Sequence, residues 1–279
     1  MARTESSNPA LARSPFAQAA GRPVGFDRPS YGPPPGASYG GPATADSLEQ
    51  AYYGPDATAR DAGRMTVEDV VVRTAVLLAV AIATGAATWV TGATALLLPA
   101  LLVGLGLGLW ISFKQVTKPA PIIVYAAAQG VLMGAFSRLI TYNNADLVLQ
   151  AVLGTTGVAL GVLFLYRSGR IRVTPAFTKM VMAGLIGFLV LVVVNLGASF
   201  FVDGGLGLRD GGPLAIGFSL LAIGLGAMTL VLDFDFVEKG ARAGMPERYG
   251  WYAAFGLLVS LVWLYIEILR LLSYFQSND

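Results

Sequence analysis

Seven stretches of the chain are almost continuously apolar, and each is long enough to cross a bilayer as a helix. They fall at about 70–91, 93–113, 120–140, 146–166, 178–201, 213–235 and 250–274. A hydrocarbon layer of ~30 Å takes about 20 helical residues. None of the stretches alternates with the period of two that a barrel strand requires. The pattern predicts an all-α membrane protein with seven transmembrane helices. Before the first stretch, Thr66-Val-Glu-Asp69 reads as a helix N-cap with acidic residues in the first turn. Arg73, near the start of that helix, is placed to snorkel to the headgroups.

Residues 1–64 differ in kind. The run Arg28-Pro-Ser-Tyr-Gly-Pro-Pro-Pro-Gly-Ala-Ser-Tyr-Gly-Gly-Pro42 is low-complexity sequence with little apolar surface to bury. The expectation is a disordered tail over 1–64, either solvated or a tyrosine-bearing interaction segment, followed by a membrane domain over 65–275. No apolar segment follows the early arginines, so the start does not read as a signal peptide.

Charges in the connecting segments set the expected orientation. Arg60 and Arg64 precede the first span; Lys114 and Lys118 follow the second. Arg167, Arg170, Arg172 and Lys179 lie between the fourth and fifth, and Lys239, Arg242 and Arg248 between the sixth and seventh. The alternate connections are poor in base, with Arg209 alone between the fifth and sixth spans. By the positive-inside rule the N-terminus is cytoplasmic and the C-terminus outside.

Composition narrows the chemistry. The chain is 55% hydrophobic and 13% charged, with a mean hydropathy of +0.63. Its net charge of +2 is explained by the loop bases, so nucleic acid is not an expected partner; the lipid bilayer is. There are no cysteines and no histidines, which removes disulfides, the usual zinc ligands and Ser/His or Cys/His dyads. No phosphate loop or nucleophile–base pair is visible, so no enzyme activity and no cofactor are expected. Glycines at 104, 106 and 108, at 130 and 134, and at 157 and 161 have the small-residue spacing that lets membrane helices approach closely.

The sixth stretch ends in an acidic knot, Leu230-Val-Leu-Asp233-Phe-Asp235-Phe-Val-Glu238-Lys239. Ionisable groups in or near hydrocarbon are functional candidates by default. Asp233, Asp235 and Glu238 could form an acidic vestibule for a hard cation such as calcium, which takes oxygen ligands. Crowded carboxylates hold protons more tightly, which would make occupancy pH-dependent. The plainer reading has them as interfacial carboxylates pairing with Lys239 and Arg242. Asp233 and Asp235, two positions apart on a helix, point about 200° apart, so both cannot face one pore.

These segments resemble the Bax inhibitor / YccA family. The sixth-span ending and the seventh-span run Leu264-Tyr-Ile-Glu-Ile-Leu-Arg-Leu-Leu272 carry the resemblance. Ser7-Asn8-Pro9, Met65-Thr-Val-Glu-Asp69, Ile171-Arg-Val-Thr-Pro175 and Trp251-Tyr-Ala-Ala-Phe255 are similar to its actinobacterial branch. The resemblance implies six helices around a central seventh, and a bacterial inner (plasma) membrane location. It also implies a pH-sensitive calcium leak gated by an aspartate pair between the sixth and seventh helices. Other members are linked to a membrane-bound protease, so a protease or other membrane complex is an implied partner.

Asp233 matches the family's sixth-helix aspartate, and Asp235 stands where a neutral polar residue is usual. The seventh-helix aspartate has two possible counterparts, Glu267 or Ser260. At ~1.5 Å of rise per residue, Glu267 lies ~25 Å beyond Gly250, far from Asp233 in depth, whereas Ser260 lies at about its level. The implied dicarboxylate is therefore altered. Arg138 on the third span and Asn195 on the fifth fall at about the depth of Glu267. The expectation is an outer Arg138–Glu267 charge pair with Asn195 nearby, the alternative being Arg138 and Arg270 snorkelling separately.

The leading expectation is a cation leak, with calcium as the transported ion and Asp233 at a cytoplasmic gate. The alternative is a non-transporting regulator of a membrane protease or another membrane complex.

Overall fold

The computed structural model describes residues 63–142, 144–202 and 204–277; most of the expected tail, residues 1–62, lies outside them. Among the described residues seven long helices follow one another. They are α1 (Val67–Thr91), α2 (Leu97–Lys114), α3 (Pro119–Ile140), α4 (Ala145–Arg167), α5 (Pro175–Ala198), α6 (Pro213–Arg242) and α7 (Tyr249–Ser277), with a short 3-10 turn (Thr94–Leu96) leading into α2. All seven are long and apolar enough to cross a membrane.

Local sequence explains most helix ends. Thr66 caps α1, its Oγ1 accepting from the Asp69 amide at 3.1 Å and donating to the Asp69 carboxylate at 2.8 Å. Thr66→Ala is expected to lower stability by about 1 kcal/mol, read as a lower thermal midpoint of the purified chain. Thr174 caps α5 in the same way, accepting from the Phe177 amide at 3.2 Å, with Pro175 at the first helical position. That cap starts α5 three residues before the apolar run does.

The end of α6 departs from expectation. Instead of stopping at about 235, the helix continues to Arg242 and carries the acidic knot inside it. Pairs one turn apart, Asp235 with Lys239 and Glu238 with Arg242, support the extra turns, and the two bases suit the negative end of the helix dipole. At 30 residues α6 is ~45 Å long, so about a third of it exceeds a ~30 Å hydrocarbon layer.

The seventh helix occupies the middle. It packs on α1, α3, α4 and α6, and 61% of its most apolar window is buried, against 11% for α5 and 17% for α2. Helix α2 leans on α3, and α5 on α6; both turn rows of leucine and valine outward, the surface a lipid solvent requires. The tightest crossing is α1 on α3. A Cβ at Gly130 would run into the Ala81 carbonyl and Thr84 hydroxyl, and one at Gly134 into the Gly85 carbonyl. Gly157 and Gly161, which have the same spacing, face open space.

The entry to α1 is strapped to the α6–α7 connection. Met65 donates to the Met245 carbonyl at 2.7 Å and Glu247 to that of Gly63 at 2.9 Å, and the Met65 side chain is fully buried against Gly240. Arg73 does not reach outward for headgroups. It pairs with the Glu247 carboxylate, bonds the Glu247 carbonyl and lies over the Trp251 ring at 5.4 Å.

Candidate functional site at the α6–α7 interface

Asp233 lies nine residues before the end of α6, and Ser260 eleven residues after the start of α7. The two helices are packed neighbours, so at ~1.5 Å per residue the two side chains come to similar depths, ~14 and ~17 Å from the ends that face each other. They touch. The Ser260 hydroxyl donates to Asp233 Oδ2, and Thr229 Oγ1 stands 3.4 Å from Ser260 Oγ. On α7 one turn earlier, Gly256 leaves room for the carboxylate: a Cβ there would meet Asp233 Oδ1 at 3.0 Å. Asp233 is half-buried at this junction.

Asp235 and Glu238 do not join it. Asp235 binds Lys239 at 2.7 Å. Glu238 accepts from the Tyr166 hydroxyl of α4 and pairs with Arg242. Both line a cavity of about 770 Å³ between α4 and α6, together with Arg167 and Arg172. The helical periodicity that sets Asp233 and Asp235 on different faces thus sends one carboxylate to α7 and the other two to their own bases. The three do not form one vestibule. Among the described residues Asp233 has no basic partner, while Lys239, Arg242 and Arg73 are all engaged elsewhere.

Around Ser260 the interface is closely packed. Leu230, Leu258 and Leu264 are fully buried, and Gly226 lets α6 approach the Leu264 and Trp263 side chains so closely that a Cβ would meet them at 2.9 and 3.1 Å. Trp263 donates its indole N–H to the Ala222 carbonyl at 3.1 Å. On the α3 side, Ser137 and Tyr265 share a buried hydrogen bond of 2.7 Å.

The expected Arg138–Glu267 pair is absent. Arg138 bonds the Trp89 carbonyl at the end of α1 and lies against Gly92, which takes a left-handed conformation (φ 69°) and has no side chain to obstruct it. Glu267 is instead held by Arg270, one turn further along α7, at 2.7 Å, and by Arg209 at 3.8 Å. The two helices do meet at this depth, Ser137 with Tyr265 and Phe136 with Arg270, but Arg138 leaves α3 on the side facing α1. Nor does Arg270 snorkel away: it is buried and lies over the Phe136 ring at 5.4 Å. Asn195 serves the α5–α6 connection, its Oδ1 accepting from the Leu206 amide at 2.9 Å.

Sequence reasoning missed Gly256 and Thr229, and treated Arg209 only as a lone loop base. A glycine one turn from the candidate serine was the available signal for the first. Nothing local signalled that the glycine-rich segment after α5 folds Arg209 back onto α7.

No curated protein matches the chain. The family model described as Bax inhibitor 1 like matches residues 8–277, a span that takes in all seven helices and the Asp233–Ser260 junction. With seven apolar helices, a buried seventh and that match over nearly its whole length, the chain belongs to the Bax inhibitor 1 like family.

Proposed function

We propose that this protein lets a cation, calcium foremost, leak slowly across a bacterial plasma membrane along the α6–α7 interface, and that Asp233 admits or blocks it. One observation carries the reading. A carboxylate well inside the bundle is hydrogen-bonded by a neutral serine and has no base beside it among the described residues, although other carboxylates nearby each have one. An ionised group so placed attracts a cation, and Asp233, Ser260 and Thr229 offer it oxygen atoms. Leu230 and Leu264 close the path beyond, so passage requires α6 and α7 to part. The loop bases favour a cytoplasmic position for the Asp233 end and an outer position for the C-terminus.

A second reading, a non-transporting partner of a membrane protease or another membrane complex, is favoured by the same close-packed interface and by the ion pairs that engage the neighbouring carboxylates. Calcium entry into proteoliposomes with a trapped indicator separates the two. Asp233→Asn is expected to change the rate by about tenfold or more, the scale of one lost charged interaction, while Asp235→Asn stays within about twofold of wild type because its carboxylate serves Lys239 on the surface. No entry with wild-type protein would favour the second reading.

A further inference from the structure

At the Glu267 end the bundle has a lateral opening. Helices α2 and α5 flank it, and between them a face of α7 lines a groove of about 730 Å³, within the range of small-molecule sites. Its walls are apolar, with Leu101, Phe136, Leu189, Val262 and Ile266 among them. From Val259 to Arg270 it follows twelve residues of α7, ~17 Å of helix and about the depth of one leaflet's hydrocarbon. At one end the lining changes character, to Arg209, Glu267 and Arg270.

That polar end is incompletely satisfied. Glu267 is 5% exposed; Oε1 takes both arginines, at 2.7 and 3.8 Å, and Oε2 is buried with no hydrogen-bond partner. Such an atom asks for a donor. Arg209 makes no hydrogen bond among the described residues, only the long contact to Glu267 and a position 5.9 Å over the Phe218 ring. Burial, and next the Arg270 charge, push its guanidinium below the usual value. An anion between the two guanidinium groups would relieve that strain.

We propose that this groove holds one phospholipid with a primary-amine head group: phosphate on Arg209 and Arg270, ammonium on Glu267 Oε2, and an acyl chain along the apolar face of α7. The charge pattern decides the class. Two guanidinium groups complement a phosphate, and the orphaned carboxylate oxygen complements a primary ammonium, whereas a quaternary choline offers no donor and a glycerol head group only uncharged hydroxyls. Basic pockets between membrane helices are recurrent lipid head-group sites. The lipid would fill the gap between α2 and α5 and tie the central helix to the surrounding leaflet.

The test is lipid retention by the full chain in detergent, measured by native mass spectrometry after incubation with equal amounts of phosphatidylethanolamine, phosphatidylcholine and phosphatidylglycerol. Wild type is expected to keep phosphatidylethanolamine about tenfold better than phosphatidylcholine, the scale of a charge-assisted hydrogen bond. Glu267→Gln is expected to bring that preference below about threefold, and Arg209→Gln, at a partly exposed site, to lower retention of all three lipids, since each carries the phosphate. Equal retention of the three lipids by wild type would overturn the proposal, leaving water on Glu267. So would a preference for phosphatidylglycerol, a phosphatidylethanolamine preference that survives Glu267→Gln, or lipid retention unchanged by Arg209→Gln. The wild-type comparison stands even if a variant fails to fold.

Discussion

Replacing Glu267 by alanine is expected to destabilise the bundle by about 3–5 kcal/mol, the range for removing one partner of a buried ion pair. The carboxylate is the shared counter-charge of two arginines. Without it Arg270, almost fully buried against the Phe136 ring, keeps its charge and loses its only ion-pair partner among the described residues. The penalty therefore reports mostly the stranded cation. A double-mutant cycle makes this specific. Glu267→Ala combined with Arg270→Ala should cost well under the sum of the two, because the second change removes the stranded charge. Glu267→Ala combined with Arg138→Ala should be additive within about 0.5 kcal/mol, since Arg138 serves the end of α1. Reversible unfolding in mild detergent measures both. Coupling to Arg138 and none to Arg270 would contradict the geometry.

The second large effect is at the α1–α3 crossing. Gly134→Leu is expected to cost about 3 kcal/mol or more, at the upper end for overpacking, because its Cβ alone already meets the backbone carbonyl of Gly85. A backbone atom cannot swing aside as a side chain does, so the two helices must separate. That would disturb Ser137 and Tyr265 one turn further on. Gly161→Leu on α4 is the control: nothing stands within reach of a Cβ there, and the better helix propensity of leucine makes a change within about 1 kcal/mol the expectation. Thermal midpoints of the two variants against wild type decide it. Similar changes at both positions would mean that the approach of the Gly85 carbonyl does not constrain residue 134.

Much of the fold was legible because a bilayer forces a simple code: each span must satisfy its backbone internally, so seven apolar runs become seven helices. The cap at Thr66 was equally local. The extension of α6 was not legible from hydropathy, because it depends on charged pairs, Asp235–Lys239 and Glu238–Arg242, lying outside any apolar window. The candidate site shows the same boundary. Counting residues along antiparallel helices was enough to bring Ser260 beside Asp233 and to keep Glu267 away. The same counting failed for Arg138, since rise fixes depth while the neighbour met at that depth depends on how each helix is rotated. The glycine spacing at 130 and 134 and that at 157 and 161 read alike in sequence, yet only the first pair is pressed against another backbone. Arg209 was hidden for a different reason: a segment with three glycines at positive φ, Gly204, Gly205 and Gly207, carries it, and such backbone paths leave no periodic trace.

If the Asp233–Ser260 junction governs cation passage as proposed, the pH profile of calcium flux reports it. A protonated Asp233 is neutral and offers a cation little, whereas the ionised form attracts one; flux should therefore rise as the carboxylate loses its proton and fall on acidification. In proteoliposomes measured between pH 6 and pH 8, wild type is predicted to leak calcium faster toward the alkaline end, and Asp233→Asn to give a flat profile. A wild-type profile retained in Asp233→Asn, or no wild-type flux at any pH, would rule out a gating role for Asp233.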